Sequence, residues 1–122
     1  VALDLDAPFQ SVTVLGPILH WIQPGLTPTT SPENGGSIAL SSQDTPFIAN
    51  YIGPAPPPPS GPHRYVFFLY EQPADFDIER LLIVKERGKP VGNGKRIRYN
   101  LEAFEQKAGL GEIVAGNFFV SN

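Results

Sequence analysis

The chain has 122 residues, a formal net charge of −3 and no cysteine. That suits one small domain with one core spanning residues 1–122, and it excludes disulfides, thiolate nucleophiles and cysteine-held metal centres. No apolar run approaches the roughly 20 residues of a membrane-spanning helix, so no transmembrane segment is expected, and the mild negative charge argues against nucleic acid as a partner.

There is also no methionine, so Val1 is not read as a translated start and the chain is expected to be a processed or trimmed product. Residues 1–6 already alternate like the middle of a strand, with Val1, Leu3 and Leu5 on one face and Asp4 and Asp6 on the other. Asp6-Ala7-Pro8 ends it, because proline cannot continue a ladder. Pro17 precedes a second predicted strand over 18–23, where His20 shares a face with Ile18 and Ile22 while Leu19 and Trp21 take the other. Pro24-Gly25 closes it. Residues 24–62 are rich in Pro, Gly, Ser and Thr and read as a long irregular region, in which residues 37–40 and 46–51 are predicted to pair. A third strand covers 63–70; both its faces are apolar, which predicts a central, buried position. Residues 78–85 are apolar with a period ambiguous between helix and strand. Asn100 is placed to cap a helix through Leu101, Phe104 and Ala108, with Lys107 suited to the dipole and Gly109 at the stop. A last strand, 113–120, is expected to carry a bulge at Gly116-Asn117. The class is mainly β with peripheral helix.

Charge is unevenly spread. No Lys or Arg precedes Arg64, whereas Lys85, Arg87, Lys89, Lys95, Arg96 and Arg98 crowd one stretch. A solvated loop or hairpin is the plain reading; a docking patch for an acidic partner or membrane surface is the functional one.

The chain has two histidines, His20 and His63, each beside an aromatic residue on a predicted strand. A lone strand histidine is more often structural, but both lie, with Asp4 and Asp6, near strand ends beside Pro/Gly loops. Three chemistries are open if they converge. The imidazoles could donate to a phosphate while an aspartate fixes the tautomer. They could act as a general acid–base pair. Two histidines and a carboxylate could hold a metal, though no His-x-Asp or His-x-x-x-His spacing supports this, and neither metal nor cofactor is expected. There is no Gly-x-Ser-x-Gly elbow, P-loop or dinucleotide fingerprint. His63 and Tyr65 share a strand face directly after the stiff proline loop of residues 54–62, an arrangement that suits gripping an anion. A polyproline II ligand for SH3 or WW domains is a weaker reading of the same prolines, which sit between strands rather than in a tail.

Five segments, in order, resemble the signatures of the phosphatidylethanolamine-binding protein family, which includes the Raf kinase inhibitor proteins. They are Asp4-Leu5-Asp6-Ala7-Pro8, Leu19-His20-Trp21, Tyr51-Ile52-Gly53-Pro54 with Pro56-Pro57, Gly61-Pro62-His63-Arg64-Tyr65, and Tyr70-Glu71-Gln72. The end of the predicted helix, Ala108-Gly109-Leu110-Gly111, resembles the fungal branch. The likeness runs over essentially the whole chain, but the N-terminal strands of the family domain have no counterpart in it. A companion N-terminal fragment or a protein partner is therefore expected to cover an open sheet edge.

The resemblance implies an antiparallel β-sandwich with an anion pocket at one end. Carried over by position, the pocket would use Asp4, His20, Gly53, Pro54, Pro56, Pro57, His63 and Tyr65. Asp4 would orient an imidazole, His20 and His63 would flank the anion, and Tyr65 would donate its hydroxyl. Asp6 and Arg64 would hold the loops, and Trp21 would belong to the core. Two departures stand out: Leu5 replaces the proline between the aspartates, predicting a looser turn, and Phe9 replaces a serine, predicting a more apolar rim. The function implied is a binding module for phosphate-bearing or other anionic small ligands, a phospholipid headgroup among them, able to inhibit a protease or kinase. The alternative is an enzyme of fungal specialised metabolism, with His20 and His63 catalytic. It would promote cyclisation or dimerisation of a carboxylate or maleic-anhydride intermediate. The compartment is left open, with the cytoplasm preferred.

Overall fold

The computed structural model describes residues 1–32, 36–78, 81 and 89–122, residues 30–32 as backbone alone. Strands β1 (Ala2–Asp4), β2 (Ile18–Trp21), β5 (His63–Tyr70) and β6 (Ile113–Ser121) form one antiparallel sheet in the order β2-β1-β5-β6. Strands β3 (Thr27–Pro32) and β4 (Ile38–Ser41) form a separate antiparallel pair. The mainly β class follows the sequence reading.

Strand alternation separates core from site. In β1, Leu3 lies opposite Val66 of β5 and Leu19 of β2, and these contribute to an apolar cluster with Ile22, Ile48, Ala49, Leu81, Val91, Phe104 and Ala108. Asp4, opposite Tyr65, points to the other face. That face is not solvated: Asp4 and Asp6 are both buried.

Helix α1 (Leu101–Ala108) closes over the apolar side with Phe104 and Ala108 buried. The Asn100 side chain accepts from the Ala103 N–H at the N-terminus, and Gly109 adopts φ 64° at the C-terminus. The Tyr70 hydroxyl donates to Glu105 Oε1 at 2.6 Å, tying α1 to β5.

Three expectations are corrected. Residues 46–51 do not pair with residues 37–40; β4 pairs with β3 instead, and Ala49 makes an isolated bridge to Ile22. A pair of two strands has only edges, so the prolines of β3 remove no bond from a sheet interior. The irregularity in β6 falls at Val114 rather than Gly116-Asn117, since Leu69 pairs with Ala115 but Tyr70 with Ile113. Strand β5 is central, yet it is buried only towards His63, because β6 beside it is exposed along nearly its whole length. Of the segment 78–85, Ile78 and Leu81 are described and pack in or against the core. The rest, with Lys85 and Arg87, lies outside the described residues.

Candidate functional site

The site is built from the face that Asp4 shares with His63 and Tyr65. His63 is 1% exposed. Its Nδ1 lies 2.8 Å from Asp4 Oδ2 and Nε2 lies 3.2 Å from the Pro8 carbonyl oxygen. Asp4 Oδ1 meanwhile accepts the Asp6 N–H at 2.9 Å, so both carboxylate oxygens are engaged and the ring is held rigidly. This Asp4–His63 contact is the orienting arrangement that the resemblance implied.

His20 enters from β2. Its Nδ1–H donates to the Ile52 carbonyl at 2.8 Å, which leaves Nε2 as the lone-pair nitrogen. Among the described residues Nε2 has no hydrogen-bond partner, and it is not sealed from solvent. Burial pushes the His20 pKa below its ordinary value; the Ile52 carbonyl and Asp4 oppose the shift, and the Arg96 charge adds to it. Tyr65 stands between the two imidazoles, edge-on to His20 at 5.1 Å and stacked near His63 at 6.4 Å. Burial first, and then the negative charge of Asp4, push its phenol pKa up to about 12, so the hydroxyl remains a donor at neutral pH.

Asp6 and Arg64 form a separate tie. The Arg64 guanidinium reaches Asp6 at 2.8 Å through Nε and 2.7 Å through Nη2, and the Arg64 backbone N–H adds a third bond at 2.8 Å. These contacts hold the Asp6 carboxyl below the usual carboxylate range. Leu5 contributes as well: its N–H donates to the Arg64 carbonyl at 3.0 Å, a bond that proline could not make.

A cavity of about 270 Å³ opens between these groups. Of the residues carried over from the resemblance, Asp4, His20, Gly53, Pro56, Pro57, His63 and Tyr65 line it. Pro54 does not, although its neighbours Gly53 and Ala55 do. Phe9 does not reach the cavity either; its apolar wall comes from Leu15, Ile18, Ile52 and Ile97. Trp21 is half-buried and lines a different, larger cavity of about 450 Å³. Its lining is mainly apolar and includes no charged or imidazole side chain. Asn93 and Arg96 also line the smaller cavity and were missed in the sequence, where they read as part of a solvated basic stretch. Among the described residues no group of three or more His, Asp or Glu side chains is arranged to hold a metal ion.

The family model described as phosphatidylethanolamine-binding protein matches residues 1–119, and the chain belongs to that family. Phomoidride biosynthesis cluster protein N of Talaromyces stipitatus is 38% identical over 108 residues, which cover 86% of this chain and 50% of that protein. The carboxypeptidase Y inhibitor of Saccharomyces cerevisiae is 41% identical over 78 residues, 59% of this chain and 32% of its own. A crystal structure of carboxypeptidase Y inhibitor complexed with the cognate proteinase superposes with a TM-score of 0.71 at 28% identity, over 98% of this chain and 56% of that one. The chain thus spans about half, or less, of the length of these relatives.

Proposed function

We propose that the cavity holds a small oxyanion, carried by a phosphate-bearing headgroup or a small carboxylate, and that the protein acts as a binding module. One observation carries the reading: His20, His63 and Tyr65 all line one cavity of about 270 Å³. That is headgroup-sized, below the usual range for sites that enclose a drug-sized ligand. The Tyr65 phenol stays protonated at neutral pH and would turn from Asp4 to donate to the ligand, and His20 Nε2 can take a proton and donate it to the anion. Inhibition of a protease is the partner role supported by similarity, since one relative is named an inhibitor of carboxypeptidase Y and a solved neighbour is complexed with its proteinase. A companion N-terminal fragment is the proposed cover for β6, whose exposed apolar residues and unshared edge favour a covering element. Calorimetry with inorganic phosphate, phosphoethanolamine and a small dicarboxylate tests the cavity. Tyr65→Phe is expected to weaken phosphate by about tenfold, the loss of one hydrogen bond to a charged group. Unchanged affinity in that variant would remove the hydroxyl from the site.

A second reading is favoured by the state of His20. A neutral imidazole with a free Nε2 is a base, and the relative that matches 86% of this chain is named for a biosynthesis cluster. Under this reading His20 moves a proton on a carboxylate or maleic-anhydride intermediate while the cavity stabilises the developing charge. Turnover of such a substrate that survives His20→Gln rules it out.

A further inference from the structure

Arg96 belongs to a stretch that reads as solvated, yet it is 1% exposed and heads the largest fully buried side chains. The short 3-10 turn Asn93–Lys95 ends on it, and its carbonyl accepts from the Leu19 N–H at 2.9 Å, which sets it beside β2. Its Nε donates to the Val91 carbonyl at 2.9 Å. Nη1 donates to the Leu19 carbonyl at 2.9 Å and, more loosely, to that of His20 at 3.5 Å. Nη2 donates to the Asn50 carbonyl at 3.1 Å and to Asn50 Oδ1 at 2.6 Å. All five N–H groups of the fork are thus engaged by neutral oxygens.

A buried cation is ordinarily paired with a carboxylate, because removing its hydration is costly. Asp4 contacts His63 and Asp6 pairs with Arg64, and neither carboxylate reaches Arg96. Arg96 nevertheless lines the cavity with His20, His63 and Asp4. Asp4 is the one carboxylate in the described lining. The negative charge of Asp4, which already contacts His63, works against an anion in the cavity, whereas the positive charge of Arg96 is met by neutral oxygens alone and works for one.

We propose that Arg96 is the electrostatic determinant of anion preference in this cavity, a buried positive charge whose counter-ion is the anionic group of the ligand. The inference rests on the anion reading above and adds a residue and a mechanism to it. Arg96 has no donor to spare, so it acts on the ligand through its field and not by contact. It is a positioning residue with an electrostatic role.

Asn50→Asp is the direct test. Asn50 does not line the cavity, and its Oδ1 accepts from Arg96 and from the Val91 N–H at 2.9 Å. Aspartate keeps both bonds and gives Arg96 an internal counter-ion. In the intact protein, Asn50→Asp is expected to retain the wild-type Tm or exceed it while inorganic phosphate binds at least about tenfold more weakly. The His20 imidazole, followed by NMR, should titrate higher than in the wild type. Arg96→Lys, which keeps the charge, should bind phosphate more tightly than Arg96→Gln, which removes it. A purely structural role for Arg96 predicts the opposite pattern, with phosphate affinity unchanged in folded Asn50→Asp, and that result overturns the proposal. Absence of phosphate binding in the wild type would instead overturn the anion reading itself.

Discussion

His20 and His63 share one cavity but are held for different work. His63 is locked between Asp4 and the Pro8 carbonyl, whereas His20 is fixed at Nδ1 alone and keeps Nε2 free. His63→Ala is therefore expected to abolish phosphate binding and also to cost about 1–3 kcal/mol, because a buried Asp4 oxygen loses its partner. Chemical denaturation beside calorimetry separates the two effects. His20 sets the pH dependence. Its pKa in the folded protein lies below the ordinary 6.5, so the neutral form is favoured by folding. That stabilisation is present above the unfolded value and is lost as pH falls from there through the folded pKa. A bound anion favours the imidazolium instead, so phosphate affinity should rise over the same descent. Melting curves between neutral and mildly acid pH, with and without phosphate, should show Tm falling and phosphate progressively restoring it; a phosphate effect that shrinks on acidification contradicts this. The imidazoles, Asp4 and Tyr65 were legible in the sequence because they sit at alternating strand positions inside recognisable motifs. Arg96 was not, since its burial depends on carbonyls from Leu19 and Asn50, distant in the chain.

The elements that frame the site carry their own local signals. Helix α1 was readable to the residue: Asn100 caps it and Gly109 ends it in a left-handed conformation. Asn100→Ala is expected to cost about 1 kcal/mol through the lost bond to the Ala103 N–H. Gly109→Ala should cost about as much, because a Cβ at φ 64° is strained though open space surrounds it. Urea denaturation of both variants checks these values, and phosphate affinity should not change in either. The hairpin of β3 and β4 was half missed, since Thr27–Pro32 begins and ends among prolines that argue against a strand. The bulge was displaced to Gly116-Asn117 for a similar reason. Glycine attracts that assignment, but the extra residue is Val114, and Gly116 sits in the regular ladder opposite Phe68. Propensity reads what a residue permits; pairing with a partner strand decides what it does.

At the scale of the whole molecule, the order β2-β1-β5-β6 places the imidazoles on the well-covered side of the sheet and leaves β6 at its margin. Phe118 and Val120 are 62% and 53% exposed, and Ile113–Ser121 carries no charge to discourage edge pairing. The chain on its own is expected to self-associate, and Phe118→Lys with Val120→Lys should shift it towards the monomer in sedimentation experiments. A wild-type chain that stays monomeric at high concentration would show that β6 needs no cover. The overall architecture was legible because the family signatures run along the chain in order, from Asp4 to Gln72. The consequence for burial was not: an apolar face on both sides of β5 signals a central strand, but nothing in its own residues says how far its neighbour is covered. The central claim is that both histidines face one bound anion. An NMR titration of the two imidazoles with inorganic phosphate addresses it most directly. His20 and His63 should shift together, saturably and with one dissociation constant; resonances that stay still, or that move with unrelated midpoints, would contradict a shared anion site.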